Sequence, residues 1–400
     1  MVSPTKLALL LSLLLLSTPS EAVTTTPQKK PVNTPKLPPA VVPKNDYQSV
    51  RVLLTAVTGV ANLTIISPAG FCVKNAQGGT IMKNELSEVH IKANDGLFFV
   101  NDTRIKGNSA TIIPGHHEFV FQGRTYHGSC QLLSDQKRLL LINVVPLEEY
   151  VSSVLRTESW PGWPLEVNKV FAIASRSYVL ALMERAAKKN KLYHIKSTNQ
   201  HQTYKGVHGC DIIKEAVSQT RGMFLVHEGK PIIAMFDCCC GGIIPAHLEG
   251  VDFENAPYLA RTYACQHCKQ CKIYRWQAEF EPPALYQHLL KHVPHVGVVY
   301  DVSVGKKDKA GVVKELSITG KRWSTHTVPG QEVHKIIKEA KSLCFDISKQ
   351  KGKIIFSGRG YGHHLGLCQW GAREMVRDNW SYKRILQFFY PGTTFAKLNL

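Results

Sequence analysis

The stretch RTESWPGW, residues 156–163, sets a single carboxylate, Glu158, between Arg156 and two tryptophans, Trp160 and Trp163, with a Pro-Gly break behind it. A carboxyl in such surroundings suits general acid work. Apolar neighbours disfavour its charged form, keep it protonated near neutrality and let it hand a proton to a leaving oxygen. Glycosidic bond cleavage needs such a group, and most glycosidases add a second carboxylate as nucleophile or base. No second acid is obvious beside Glu158: Glu148 and Glu149 lie more than two helical turns back, and Glu166 opens the next predicted helix. A reaction in which the sugar's own hydroxyl attacks escapes that need. The purely structural alternative is a helix-end glutamate paired with Arg176 or Arg156.

Three further clusters carry chemistry-bearing side chains. In YHIKSTNQHQTYKG, residues 193–206, His194, His201, Gln202 and Tyr204 gather in a polar loop; the two histidines suit a metal, but a third ligand is not apparent. The chain has eleven cysteines, with Cys238, Cys239 and Cys240 adjacent in FDCCCGG and Cys265, Cys268 and Cys271 in ACQHCKQC. The second group has the spacing of a zinc or iron-sulfur ligand set, with His267 in reserve. In a chain that leaves the cytosol, disulfides between the two groups are the more economical reading, structural zinc at Cys265, Cys268 and Cys271 is the alternative, and free thiols are the third. In FSGRGYGHHLGLCQWGA, residues 356–372, five glycines surround Arg359, Tyr361, His363, His364 and Gln369. Such glycines imply left-handed turns or a close approach to another backbone or a ligand. A phosphate cradle is the rival, but it lacks the Lys-Ser/Thr ending and the βαβ context.

Two predicted helices position Glu158. In VPLEEYVSSVLRTESW, Pro146 suits a first turn, and Leu147, Val151, Val154 and Glu158 fall four, three and four residues apart, on one face. Glu158 thus extends a buried stripe at a helix C-terminus, where the macrodipole also disfavours negative charge. The next helix, about Leu165 to Lys189, is apolar nearly all round and holds Arg176, a buried guanidinium that needs a partner: Glu158, a substrate anion or an unrelated acid. Residues 47–145 alternate apolar and polar in short runs punctuated by Gly, Asn and Asp, the pattern of a β-rich unit. A mixed β region follows the helices to about Arg275, then a less readable stretch to about Ser348, then a strand, the glycine loop and helices. No internal repeat or coiled-coil heptad is present. The expected fold class is α+β, with a β-rich part over 47–145 and a helical and mixed part over 146–400 forming a cleft.

Residues 1–22 read as a secretory signal, with Lys6, an apolar run from Leu7 to Leu16 and a cleavage site around Ser20-Glu21-Ala22. Residues 23–46, rich in Pro, Thr and Lys, lack the apolar surface to fold and read as a linker. No later run is long enough for a transmembrane helix. These features place the mature chain outside the cytosol, in the periplasm or cell envelope. The formal charge of +19 suits a polyanionic partner, and an exported protein meets wall polymer or lipid headgroups. Nucleic acid is set aside, because no helix-turn-helix, zinc-finger or RNA-binding signature occurs.

The order of blocks resembles the stage II sporulation protein D (SpoIID/LytB) family. The similar segments are VRVLL, NVVPLEEYVSSVLRTESWPGWPLEVNKVFAIASRSYVL, QTYKG, TRGMFLVHEGKPIIAMFDCCCGG and SGRGYGHHLGLCQWGAREM with SYKRILQFFYPGT, from about residue 50 to 395. The resemblance implies a peptidoglycan lytic transglycosylase that cleaves the MurNAc-GlcNAc bond of glycan stripped of stem peptides and leaves 1,6-anhydro-MurNAc ends. The other role described in the family is enhancement of a cell-wall amidase. It makes Glu158 the catalytic acid, and it explains the missing second carboxylate, because the muramyl 6-hydroxyl is the internal nucleophile. By the same resemblance Arg176, Gln202, Tyr204, His363 and Gln369 fall in blocks expected to line the glycan cleft, and Tyr361, with Trp160 and Trp163, is suited to stacking on sugar faces. The implied chemistry requires no cofactor and no catalytic metal. Some relatives hold zinc on cysteines before the QxYKG block, where this chain has Lys196, Gln200 and His201, so that site does not carry over. Serines that usually precede Gly-Gly are here Cys238, Cys239 and Cys240, and ACQHCKQC is an addition. The implied partners are peptidoglycan glycan strands and a cell-wall amidase.

Overall fold

A computed structural model describes residues 47–84, 87–94, 97–160, 162–198 and 201–400. The leader, 1–22, and the Pro/Thr/Lys-rich stretch, 23–46, lie outside the described residues. The β-rich part forms two sheets. One has seven strands in the order Ile195–Lys196, Ser49–Thr58, Arg138–Pro146, Ser129–Asp135, Ser109–Pro114, Phe71–Asn75 and Thr80–Asn84. Arg138–Pro146 carries Leu139 through Ile142 in one buried run, which marks it as a strand covered on both faces. The other sheet has six strands in the order Arg124–His127, Glu118–Phe121, Ala61–Ile66, Glu88–Asn94, Leu97–Val100 and Thr103–Arg104. Its strand Glu88–Asn94 alternates strictly between exposed and buried, so one face meets the core and the other water.

The strand Arg138–Pro146 runs straight into helix α1, Leu147–Glu158. Pro146 stands just before the helix with φ −54 and ψ 142, and its lack of an N–H costs nothing at a helix start. Leu147, Val151 and Val154 are fully buried, as their spacing predicts. Helix α2, Leu165–Lys188, is buried on most sides and packs beneath α1 and against α3, Asp211–Gln219. The strand Met223–His227 lies against α2 and pairs with the C-terminal strand Thr394–Lys397, so the end of the chain closes over the central helices.

A second core occupies the stretch whose pattern is least readable. Two three-stranded sheets, one of Arg275–Phe280, Lys353–Arg359 and Phe345–Gln350, the other of Asp301–Lys307, Val313–Thr319 and Thr325–Pro329, pack with helices α4, Pro282–His292, and α5, Gly330–Ile336. Leu289, Leu316, Ile318, Val333 and Phe356 are buried within it. The chain then returns through the glycine loop to α6, Gln369–Arg377, and α7, Tyr382–Phe389, both packed on α2. The architecture is α+β. None of the described helices is long and apolar enough to cross a membrane.

Candidate active site

Ser159 leaves the helical region at φ −88 and ψ 143, so Glu158 is the last residue of α1. Its side chain is half-buried, and Oε1 accepts the Thr203 N–H at 3.3 Å. Burial pushes the carboxyl above its ordinary value of 4.5, while the hydrogen bonds from Thr203 pull the other way. The negative end of α1 adds to the upward push. Just past the end of α1, Trp160 and Trp163 stack at 6.3 Å between ring centroids, and Trp370 of α6 meets both edge-on at 5.8 and 5.6 Å. Trp163 is buried and also stacks on Phe171 of α2; Trp160 is 40% exposed. Beside this cluster a cavity of about 280 Å³ is lined by Arg156, Ser159, Trp160, Trp163 and Ile213.

The loop 201–206 is fastened along α1, one residue at a time. Gln202 Oε1 accepts from Tyr150 Oη at 3.0 Å, Thr157 Oγ1 lies 2.6 Å from the Thr203 carbonyl, and the Lys205 N–H donates to Ser153 Oγ at 3.2 Å. Tyr204 stacks on Tyr150 at 5.4 Å and donates to Asn143 Oδ1 at 2.6 Å. These bonds fix the position of the Thr203 N–H that faces Glu158. On the other side, Gln369 Nε2 donates to the Glu158 carbonyl at 3.2 Å, which satisfies an acceptor that the helix end leaves open. The glycine loop reaches this point because it lies flat on the backbone of 235–241. Gly366, at φ +69, sits where a Cβ would come within 2.0 Å of the Met235 carbonyl.

The residues expected to line the cleft divide into two groups. Tyr361 is 41% exposed with Lys341 Nζ 5.8 Å from its ring centroid, and His363 is exposed with Nδ1 accepting the Leu365 N–H at 3.1 Å. Gln202, Tyr204 and Gln369 are buried and bonded as described above. Arg176 is wholly buried, and its partner is neither Glu158 nor open to a substrate anion. Its guanidinium forks onto Glu148, Nε to Oε1 at 2.9 Å and Nη2 to Oε2 at 2.6 Å, while Nη1 donates to the Met223 carbonyl at 2.8 Å. The correction follows from packing: Arg176 lies beside the first turn of α1, and the Glu158 turn is beyond its reach. Glu149 contacts His127, and Glu166 accepts from the Tyr382 N–H, so the acids nearest in sequence are engaged away from Glu158.

Neither histidine of the polar loop is set up to share a metal. Both ring nitrogens of His194 face Arg51, and burial, then Arg51, push its pKa down to about 4. His201 Nδ1 accepts the Lys196 N–H at 3.4 Å. None of the eleven cysteines is joined to another in the structure; the two groups expected to bridge face one another as separate sulfurs, Cys240 Sγ 3.6 Å from Cys268 Sγ. The trio Cys265, Cys268, Cys271 does not converge as a set. Cys271 Sγ lies 3.7 Å from Cys239 Sγ, while Cys265 and Cys268 meet Cys240 and Cys368, the four Sγ atoms within 4.8 Å of one another. Sequence reasoning missed Glu148, the Thr203 N–H and Cys368. Only Cys368 left a signal, by standing inside the glycine-rich block.

The SpoIID family model, described as stage II sporulation protein, matches residues 135–227, the span that contains α1, α2 and the 201–206 loop. A domain of unknown function, DUF8618, matches residues 256–366 and so covers the second core with Tyr361 and His363. Over 288 residues the chain is 30% identical to an uncharacterised protein of Brachyspira hyodysenteriae, covering 70% of this chain and 75% of that one. Over 271 residues it is 26% identical to stage II sporulation protein D of Bacillus amyloliquefaciens, 63% of this chain and 75% of that protein. The chain belongs to the SpoIID family. It is also 25% identical over 370 residues to the amidase enhancer of Bacillus subtilis, spanning 80% of this chain and half the length of that relative. Within this SpoIID chain the family match holds Glu158 and its Thr203 clamp, whereas Gln369 and Cys368 lie beyond both matched spans.

Proposed function

We propose that the chain is an exported peptidoglycan lytic transglycosylase acting in the periplasm or cell envelope on glycan strands stripped of stem peptides. Glu158 protonates the bridging oxygen as the MurNAc C1–O bond breaks. The same carboxylate then takes the proton of the muramyl 6-hydroxyl as that oxygen bonds to C1. No water is consumed, the proton count closes, and the products are a free GlcNAc 4-hydroxyl and a 1,6-anhydro-MurNAc end. One observation carries the reading: a lone, half-buried carboxyl at a helix C-terminus, raised by burial and without a second acid beside it among the described residues. Exposed Tyr361, His363 and Trp160 supply the surface for the sugars, while Gln202, Tyr204 and Gln369 act as positioning residues.

Digestion of denuded strands by the wild type and by Glu158→Gln, read by mass spectrometry, tests this. Loss of a positioned general acid is expected to lower release of anhydro ends by about 10²–10⁴-fold. Equal product from both proteins removes Glu158 from the role. Similarity to the amidase enhancer favours a second reading, a non-catalytic wall-binding partner of an N-acetylmuramoyl-L-alanine amidase. It predicts no anhydro product from either protein, and amidase stimulation that survives Glu158→Gln.

A further inference from the structure

We infer that Cys240, Cys265, Cys268 and Cys368 form a tetrahedral zinc site that staples three distant segments of the chain behind the candidate active site. All four residues are buried, and their Sγ atoms lie within 4.8 Å of one another. Zn–S bonds of about 2.3 Å place tetrahedral sulfurs about 3.8 Å apart. Cys240 and Cys268 stand at 3.6 Å, close to that edge. A four-iron cluster interposes its own sulfides and needs its thiolates spread wider, so a single ion fits the space better.

The surroundings of Cys368 are those of a metal-bound thiolate. Its sulfur accepts two backbone N–H groups, Cys240 at 3.2 Å and Gly371 at 3.3 Å, and it caps the N-terminus of α6. Such donors offset thiolate charge in a buried place. Gly371 is required for the same closeness: a Cβ there would stand 2.9 Å from Cys265 Sγ and 3.2 Å from Cys368 Sγ. Cys265 and Cys268 come from one tight knuckle, where the 3-10 turn His267–Gln270 brings an x-x spacing onto one ion. The order of the ligands in sequence, one from the Cys238–Cys240 run, two from ACQHCKQC and one from the glycine block, explains why no single motif announces the site.

Binding is an exchange of protons for metal: four thiols and one Zn²⁺ give a tetrathiolate and four protons, with no change of oxidation state. The consequence is positional. Cys368 is followed directly by Gln369, whose amide holds the Glu158 carbonyl, so the ion fixes the start of α6 and through it the end of α1. Cys239 and Cys271, 3.7 Å apart beside the cluster, are left outside the coordination shell.

The test uses the full chain purified without chelator or added reductant. Elemental analysis is expected to find a single zinc per chain, and X-ray absorption a shell of four sulfurs at about 2.3 Å. Cys268→Ser and Cys368→Ser lose that metal, and Cys271→Ser and Glu158→Gln keep it. The last variant separates this inference from the proposed chemistry, because zinc content does not depend on Glu158. Should the serine variants fail to fold, alkylation of native wild type decides: four thiols protected until a chelator is added support the site. Non-reducing peptide mapping that finds any of the four sulfurs in a disulfide, with no metal bound, overturns it. So does metal retained in both serine variants.

Discussion

At the scale of single residues, the carboxyl of Glu158 behaves as its neighbours dictate. Its pKa is raised, by burial first, so the folded state holds the proton more tightly than the unfolded chain. The sign for stability follows from linkage. Below the ordinary value of 4.5 both states are protonated and nothing is lost; as pH rises through the raised folded value, ionising the buried group destabilises the fold. Glu158→Gln, whose amide oxygen still accepts the Thr203 N–H, is therefore expected to melt higher than the wild type at neutral pH. The gain should vanish below the ordinary carboxylate range. Thermal melts of both proteins across that window check this, and a gain that persists in acid would show that something other than the charge is responsible. A corollary of the proposed reaction has the same origin: activity should fall as pH rises through the Glu158 pKa, because in that reaction the first step needs the protonated form.

At the scale of elements, α1 is held at both ends by different means. Its first turn is tied to α2 by the Arg176–Glu148 fork, with Arg176 wholly buried and Glu148 nearly so. Removing one partner of such a pair leaves an uncompensated buried charge, and Arg176→Met is expected to cost about 3–5 kcal/mol in urea unfolding. The double change with Glu148→Gln should recover much of that loss; no recovery would mean that the cost lies in the shape of the cavity. Tyr204→Phe should cost about 1–3 kcal/mol by orphaning Asn143 Oδ1, without abolishing the loop's hold on Ser153. These ties also mark what the sequence made legible. Helix periodicity located α1 and α2 within a residue and put Glu158 at a buried helix end, because spacing along one helix is a local property. Pairing between elements is not local: nothing in the string tells that Arg176 meets Glu148 and not Glu158. The second core escaped for a related reason. Its strands Asp301–Lys307 and Val313–Thr319 are broken by register shifts at Val304/Lys306 and Lys306/Lys307, which blur the two-residue alternation that reveals a strand.

At the scale of the whole molecule, 49 basic against 30 acidic side chains give a surface that attracts polyanions irrespective of which residue does chemistry. In the proposed reading this long-range field gathers the protein on wall polymer, while the half-buried Glu158 acts only on a strand already seated. The two contributions respond differently to salt. Raising ionic strength from about 0.15 M to about 1 M shortens the Debye length from about 8 Å to about 3 Å, which weakens contacts between exposed charges but leaves a half-buried proton donor nearly untouched. Sedimentation with purified sacculi is therefore expected to fall steeply over that range, equally for the wild type and Glu158→Gln. Cleavage measured with saturating short glycan strands should decline far less. Binding indifferent to salt would assign wall attachment to local apolar and hydrogen-bonded contacts such as those offered by Trp160 and Tyr361. Binding lost in Glu158→Gln alone would make that carboxyl part of the docking surface, and the separation of gathering from chemistry would fail.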